Sequence, residues 1–277
     1  MPVAADETYL SLIVPAFNEA GTIARTLGLM RDYLQGRGWV WEIIVSADGT
    51  DGTRERAAEF ANGDPRIVVI GTPERRGKGR GVRDGVLQAK GQLIGFVDAD
   101  YKTPMEEIEK ILPAFDEGFD VVIGSRRVGD SKIVRPQKLY RRLGSKAFAK
   151  VMRTIVGLHG IQDTQCGFKF FTRDAARKIF SLQQINGYMF DVEILRLARK
   201  LGYGIKEVGV RWQDDGDSRS PMISGTIRHA RDLLSIRFMK YPNWPGNKPT
   251  RAAGKPASTS RDEPVLSFSS SGRGPGA

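Results

Sequence analysis

Two aspartates separated by one residue, Asp98 and Asp100, follow the apolar run Leu93–Val97. Carboxylates spaced this way at a strand end can turn toward one point. Hard divalent cations such as Mg²⁺ or Mn²⁺ take oxygen ligands of this kind while keeping positions open for phosphate. A cation held there would neutralise the charge that develops on a departing diphosphate. Other chemistry is scarce: Cys166 is the only cysteine, and His159 and His229 are the only histidines. An intrachain disulfide and a cysteine-rich zinc site are excluded, so carboxylates, cations and backbone must do the work.

The cations are abundant and unevenly placed. Lys and Arg number 43 against 32 Asp and Glu, a formal charge of +11 that attracts polyanions of any kind. Between Arg126 and Arg153 ten basic residues accompany a single acid, Asp130. Arg126, Arg135 and Arg142 offer planar forks that match phosphate oxygens. A phosphate monoester, with its second pKa at about 6, is already ionised near neutral pH and needs cations to hold it rather than a base. A sugar hydroxyl would need a carboxylate as general base, and Asp163 and Asp191 are the candidates. With a phosphate acceptor the same two would orient the arginines or the donor sugar.

Lys138, Arg142, Lys146 and Lys150 recur every four residues, with Arg153 on their side and Leu139, Leu143, Phe148, Val151, Met152 and Ile155 on the rest of the wheel. That is a basic amphipathic helix, suited to an anionic membrane surface or simply to solvent. Arg228, Arg231, Arg237 and Lys240, interleaved with Leu233, Leu234, Ile236 and Phe238, form a second such pattern. No recognised nucleic-acid motif accompanies these charges, so nucleic acid is not an expected partner.

The elements that must position these residues alternate. Short β-rich runs at Leu10–Val14, Glu42–Val45, Arg66–Ile70, Leu93–Val97 and Phe119–Ile123 are separated by helical stretches beginning near Glu19, Asp51, Gly79 and Pro104. This rhythm predicts an α/β fold with a mostly parallel central sheet flanked by helices. A Gly-Phe-Lys-Phe-Phe strand, helices near Arg173–Ser181 and Asp191–Leu201, and a strand near Ile205–Trp212 follow. We expect one domain over residues 1–241, with a first half at 9–125 that carries the strand ends and a second half at 126–241 that carries the basic stretch. Residues 242–277, rich in Pro, Gly and Ser, read as a disordered tail. No run approaches the roughly 20 apolar residues of a membrane span, and the N-terminus lacks a basic-then-apolar leader. The expected location is cytoplasmic, peripheral at the cytoplasmic membrane face.

Ligands of open parallel sheets sit at the carboxyl ends of the strands. There the chain carries Pro15-Ala16-Phe17-Asn18-Glu19, Asp48-Gly49-Thr50-Asp51, Arg75-Arg76-Gly77-Lys78-Gly79 and Asp98-Ala99-Asp100. Each string alone has an ordinary reading: Asp-x-Asp as a turn, Lys78 as a loop residue, Asn18-Glu19 as a helix start. Their order at successive strand ends favours a joint site.

The Pro15–Glu19 string, the Gly77-Lys78-Gly79-x-Gly81-Val82-Arg83-x-Gly85 stretch and the Phe96–Asp100 strand end resemble the family 2 glycosyltransferases. The resemblance implies a GT-A fold, an inverting reaction, a nucleoside diphosphate sugar donor and a divalent metal. Pro15, Phe17 and Glu19 would line the nucleotide pocket, and Asp98 and Asp100 would hold ribose and metal. Asp163–Phe171, Phe190–Leu195 and Trp212 with Gly216–Arg219 are similar to dolichyl-phosphate glucosyltransferases and their prokaryotic relatives. That implies UDP-glucose as donor and a polyprenyl phosphate as acceptor, with Arg219 closing over the diphosphate.

Two positions depart from the family pattern. Ser46-Ala47-Asp48-Gly49 replaces a usual Asp-Asp-Gly-Ser, so the base-contacting carboxylate is either missing from its register or displaced to Asp48, and Lys102 stands where some mannosyl relatives carry a metal-binding Gln. Two rivals follow: a same-fold enzyme acting on a soluble sugar or glycan hydroxyl, and a non-catalytic nucleotide-sugar or membrane-binding protein.

Overall fold

Strand β1, Leu10–Phe17, is apolar along most of its length because it is covered on both faces, as a central strand of a parallel sheet must be. A computed structural model describes residues 7–129, 132–133, 156–213, 226–241 and 244. Helix α1 (Ile23–Gln35), β2 (Trp41–Asp48), α2 (Thr53–Ala61), β3 (Ile67–Ile70), α3 (Lys78–Gln88), β4 (Leu93–Val97), α4 (Ile108–Asp116) and β5 (Val121–Ser125) follow in turn. The short β6 (Lys132–Ile133) precedes β7 (Phe168–Thr172), α5 (Arg173–Leu182), α6 (Phe190–Lys200), β8 (Ile205–Gly209), β9 (Arg211–Trp212) and α7 (Thr226–Phe238).

Seven strands form one sheet in the order β3-β2-β1-β4-β7-β5-β8. All neighbours run parallel except β7, which lies antiparallel between β4 and β5. The predicted α/β class and mostly parallel sheet are present. β6 and β9 pair separately, Lys132 opposite Arg211.

Alternation divides the strand residues between two cores. Ile13, Phe96 and Phe171 face α3, α5 and α6, whereas Leu12, Val14, Phe168 and Phe170 face α1, α2 and α4. Helix α3 lies unusually close to the sheet and to the start of α6. A Cβ at Gly85 would stand 2.8 Å from Ile13 Cγ2, and one at Gly79 would stand 2.6 Å from Phe190 Cβ. Glycine inside a helix costs about 1 kcal/mol relative to alanine, so both serve the close approach rather than the helix itself.

Several predicted boundaries shift. β1 and β2 run three residues further than expected, to Phe17 and Asp48, because their ladder continues through Phe17 opposite Asp48. The helix expected near Glu19 begins at Ile23, and that expected near Pro104 begins as a 3-10 turn, Met105–Glu107, before α4. The single strand expected over Ile205–Trp212 breaks at Val210: β8 joins the main sheet, and β9 leaves it to pair with β6. The basic helix expected around 138–155, Arg135, Arg142 and Arg219 lie outside the described residues, as does the expected disordered tail except Trp244.

Candidate active site

At the carboxyl end of β4, the Asp98 backbone N–H donates to the Gly167 carbonyl, 3.1 Å, which holds the Asp-x-Asp loop against the start of β7. A Cβ on Gly167 would overlap the Asp98 carboxylate, so only glycine leaves room for it. On the other side Thr26 Oγ1 of α1 donates to the Ala99 carbonyl, 2.8 Å. Tyr101 follows in the left-handed region at φ 54°, and its hydroxyl accepts from the Met105 N–H, 3.2 Å. The loop is therefore anchored from three directions.

Four cations meet four carboxylates here. Lys78 Nζ lies 2.6 Å from Asp98 Oδ1, and Lys102 Nζ lies 3.5 Å from Asp100 Oδ2. Arg126 forks onto Asp163 with Nε to Oδ2 at 2.7 Å and Nη2 to Oδ1 at 2.9 Å, while its backbone N–H also donates to Oδ2, 3.0 Å. Lys169 Nζ donates to Asp191 Oδ1 and to the Cys166 carbonyl, both 2.5 Å. The last pair is wholly buried, with Lys169 Nζ 5.2 Å from the Phe96 ring centroid. Trp212 brings β9 to the same place: its ring centroid is 5.8 Å from Lys102 Nζ and 5.4 Å from the Arg126 guanidinium carbon.

The electrostatics follow from this crowding. Surrounding protein and the adjacent Asp98 charge push the Asp100 carboxyl up to about 6. Burial opposes the charge of Lys78, but Asp98 and Asp191 hold its ammonium above its ordinary value. Burial likewise opposes ionisation of Asp163, yet the Arg126 guanidinium holds that carboxyl well below the usual range. Burial raises Asp191 against the pull of Lys169 and Lys78, and it raises the Cys166 thiol to about 12.

Among the described residues no three His, Cys, Asp or Glu side chains form a ready cage for a metal ion. The donor set nevertheless fits a hard divalent cation. Asp98 and Asp100 supply oxygen only, their charges crowd each other, and further ligands would come from a diphosphate.

The residues expected to line the nucleotide pocket lie at or just beyond the ends of β1 and β2. Pro15 lies within β1 opposite Ser46, and the guanidinium carbon of Arg75 lies 4.3 Å from the Phe17 ring centroid. The Glu19 carboxylate accepts from Thr22 Oγ1, 2.7 Å, at the entry to α1. Asp48 is buried, and its carboxylate is engaged by protein: Oδ1 accepts from the Thr72 N–H at 3.2 Å and Oδ2 from the Arg76 N–H at 2.9 Å.

Lys78, Asp98, Asp100, Asp163, Asp191 and Arg126 thus come together, whereas Glu19 and Asp48 hold neighbouring loops. Sequence reasoning assigned no role to Lys169. The signal for Lys169 was present: a lysine inside a wholly apolar strand must find a buried carboxylate.

Comparison with known proteins gives the site its context. The glycosyl transferase family 2 model matches residues 11–180. A dolichyl-phosphate beta-glucosyltransferase of Trichomonas vaginalis is 38% identical over 83% of this chain and 71% of its own length. Those of Dictyostelium discoideum and Homo sapiens are 35% and 30% identical, over 84% and 83% of this chain and 75% of each relative. Among solved structures, glucosyl-3-phosphoglycerate synthase from Mycobacterium tuberculosis, in complex with Mn²⁺, UDP and phosphoglyceric acid, superposes with a TM-score of 0.62 at 20% identity. That match covers 84% of this chain and 78% of the other. Mannosyl-3-phosphoglycerate synthase from Rubrobacter xylanophilus gives 0.62 at 19%, over 86% and 78%. With its sheet order, its Asp-x-Asp loop and these relatives, the chain belongs to glycosyl transferase family 2 and is a glycosyltransferase of GT-A fold.

Proposed function

We propose that this glycosyltransferase moves glucose from UDP-glucose to a polyprenyl or dolichyl phosphate, with inversion at the anomeric carbon. One observation carries the choice of acceptor. Both carboxylates suited to deprotonate a hydroxyl, Asp163 and Asp191, are buried and neutralised by Arg126 and Lys169. A phosphate needs no such base. The names and similarity of the relatives support glucose and a lipid phosphate.

In this reading Asp98 and Asp100 hold Mg²⁺ or Mn²⁺, with Asp98 also placed toward the ribose. The metal, when bound, supplies a Lewis acid that offsets charge on the leaving diphosphate. Lys78, at the first turn of α3, adds an ammonium where the helix N-terminus also favours an anion. Pro15, Phe17 and Glu19 border the nucleotide, and Arg219 closes over the diphosphate. With Asp48 engaged by Thr72 and Arg76, its contribution to the base pocket is to fix those backbones rather than to pair with the base. Arg126, steadied by Asp163, contacts the acceptor phosphate with Arg135 and Arg142, while Lys169 holds Asp191 beside the donor sugar. Single displacement needs no enzyme nucleophile.

We further place the chain, with residues 1–241 as one catalytic domain, against the cytoplasmic face of an anionic membrane. No helix among the described residues is long and apolar enough to cross a bilayer. Helix α7 exposes Leu234 and Phe238, 53% and 77%, one turn apart, beside Arg237 and Lys240. Basic charge around exposed apolar side chains is what an interfacial helix uses.

The test is transfer from labelled UDP-glucose with Mn²⁺ to polyprenyl phosphate, with soluble sugar alcohols in a parallel arm. Label should enter the lipid extract, and Asp100→Ala should lower the rate at least about 100-fold, as loss of a major electrostatic contact to the transition state does. Its circular dichroism should stay that of the wild type. Transfer to the alcohols alone would reject the acceptor.

A further inference from the structure

Lys102 is an unusual neighbour for a metal-binding aspartate. An ammonium cannot ligate a metal while protonated, and this one stands 3.5 Å from Asp100 Oδ2 with its side chain only 12% exposed. The surrounding backbone is built to keep it there. Left-handed Tyr101 turns the chain so that the Lys102 N–H donates to Asp100 Oδ1, 3.3 Å, and the Lys102 carbonyl accepts from the Gln213 N–H, 2.9 Å. The latter bond ties the loop to the end of β9, where Trp212 lies beneath the ammonium.

Lys78 does the same for Asp98 from α3. Each aspartate expected to hold the cation therefore carries a lysine as internal counter-ion. A dication approaching these carboxylates alone would meet two ammonium groups within a few ångströms, and like charges at such range repel by amounts that decide affinity. A diphosphate changes the balance, because its oxygens can take the ammonium groups as the carboxylates turn to the metal.

We propose that Lys102 couples the two ligands: it occupies Asp100 when no donor is present and makes the divalent cation bind with a nucleoside diphosphate rather than alone. This inference rests on the reading of Asp98 and Asp100 as metal ligands. Lys102, rather than Lys78, carries the effect that can be isolated. Lys78 also acts on buried Asp191, whereas Lys102 belongs to the loop itself and makes a longer, weaker ion pair. Coupling is reciprocal, so UDP must tighten Mn²⁺ by the same factor that Mn²⁺ tightens UDP.

Mn²⁺ binding measured by electron paramagnetic resonance of the free ion, with and without saturating UDP, tests this without reference to turnover. Wild type should bind Mn²⁺ about 10-fold or more tighter with UDP, within the usual span of coupling factors. Lys102→Met should bind Mn²⁺ alone about 10-fold tighter than wild type and lose the corresponding part of the UDP effect. Lys102→Arg, which keeps the cation, should retain the wild-type coupling and serves as the folding control alongside thermal melts. Equal Mn²⁺ affinity of Lys102→Met and wild type without UDP, or no UDP effect in wild type, overturns the proposal. Asp100→Asn tests the underlying reading separately. It should lose Mn²⁺ binding in both arms, and unchanged binding would reject the metal site itself, whatever the Lys102 variants do.

Discussion

Asp163 gives the strongest single-residue expectation. It is 2% exposed and accepts two guanidinium bonds and one backbone bond from Arg126. Asp163→Asn leaves that guanidinium beside a neutral partner, and breaking a buried pair in this way costs on the order of 3–5 kcal/mol. Denaturant unfolding at neutral pH should register the loss. The pH dependence has a definite sign. Because the folded carboxyl is held below its unfolded value, about 3.9, its stabilisation is complete above that pH and disappears as pH falls through the lower folded value. The gap between wild type and variant should therefore close only in strong acid. Cys166 behaves oppositely: its thiol, raised to about 12 by burial, stays protonated at every ordinary pH. Iodoacetamide should label it only after denaturant is added, and labelling of the native protein would contradict its burial. At this scale the sequence was readable where strand ends bring residues to one place, as when Lys78 meets Asp98. It was unreadable where a pair is made across the fold: nothing local ties Lys169 to Asp191 or Asp48 to Thr72.

Among the elements, β7 and α3 set the site's dimensions, and both do so through glycine. Gly167→Ala would drive its methyl into the Asp98 carboxylate just before β7 begins. Overpacking of this kind costs typically 1–3 kcal/mol. The variant should melt lower and bind Mn²⁺ more weakly in the presence of UDP; an unchanged affinity would show that Asp98 does not need its observed orientation. The strands and helices themselves were largely legible, since each is an apolar run or an amphipathic stretch with a turn signal beside it. Their ends were not. β1 and β2 lengthen because each completes the other's ladder, and the break at Val210 reflects a partner, β6, distant in sequence.

For the whole molecule, net charge and one exposed helix face bear on where it works. Leu234 and Phe238 together offer two large apolar side chains, and burying each in lipid contributes roughly 1.5–3 kcal/mol. Leu234→Ser with Phe238→Ser should reduce sedimentation with phosphatidylserine vesicles at least about 10-fold, following from that area. It should leave UDP binding unchanged, and equal sedimentation would move membrane contact elsewhere. The class of fold was legible from alternation alone, but the strand order was not, because it is decided by pairings between segments far apart in the chain.

The position of β7 also governs how the protein comes into being. Val97 and Val121 end and begin strands whose facing edges stay bare until Phe168–Thr172 has been synthesised and slides between them. During translation, which proceeds N-terminus first, β4 waits with one side unpaired while β5, whose neighbours β7 and β8 both come later, has no strand partner at all. A chain cut short before Phe168 would keep those edges open, and open strand edges are templates for pairing with other chains.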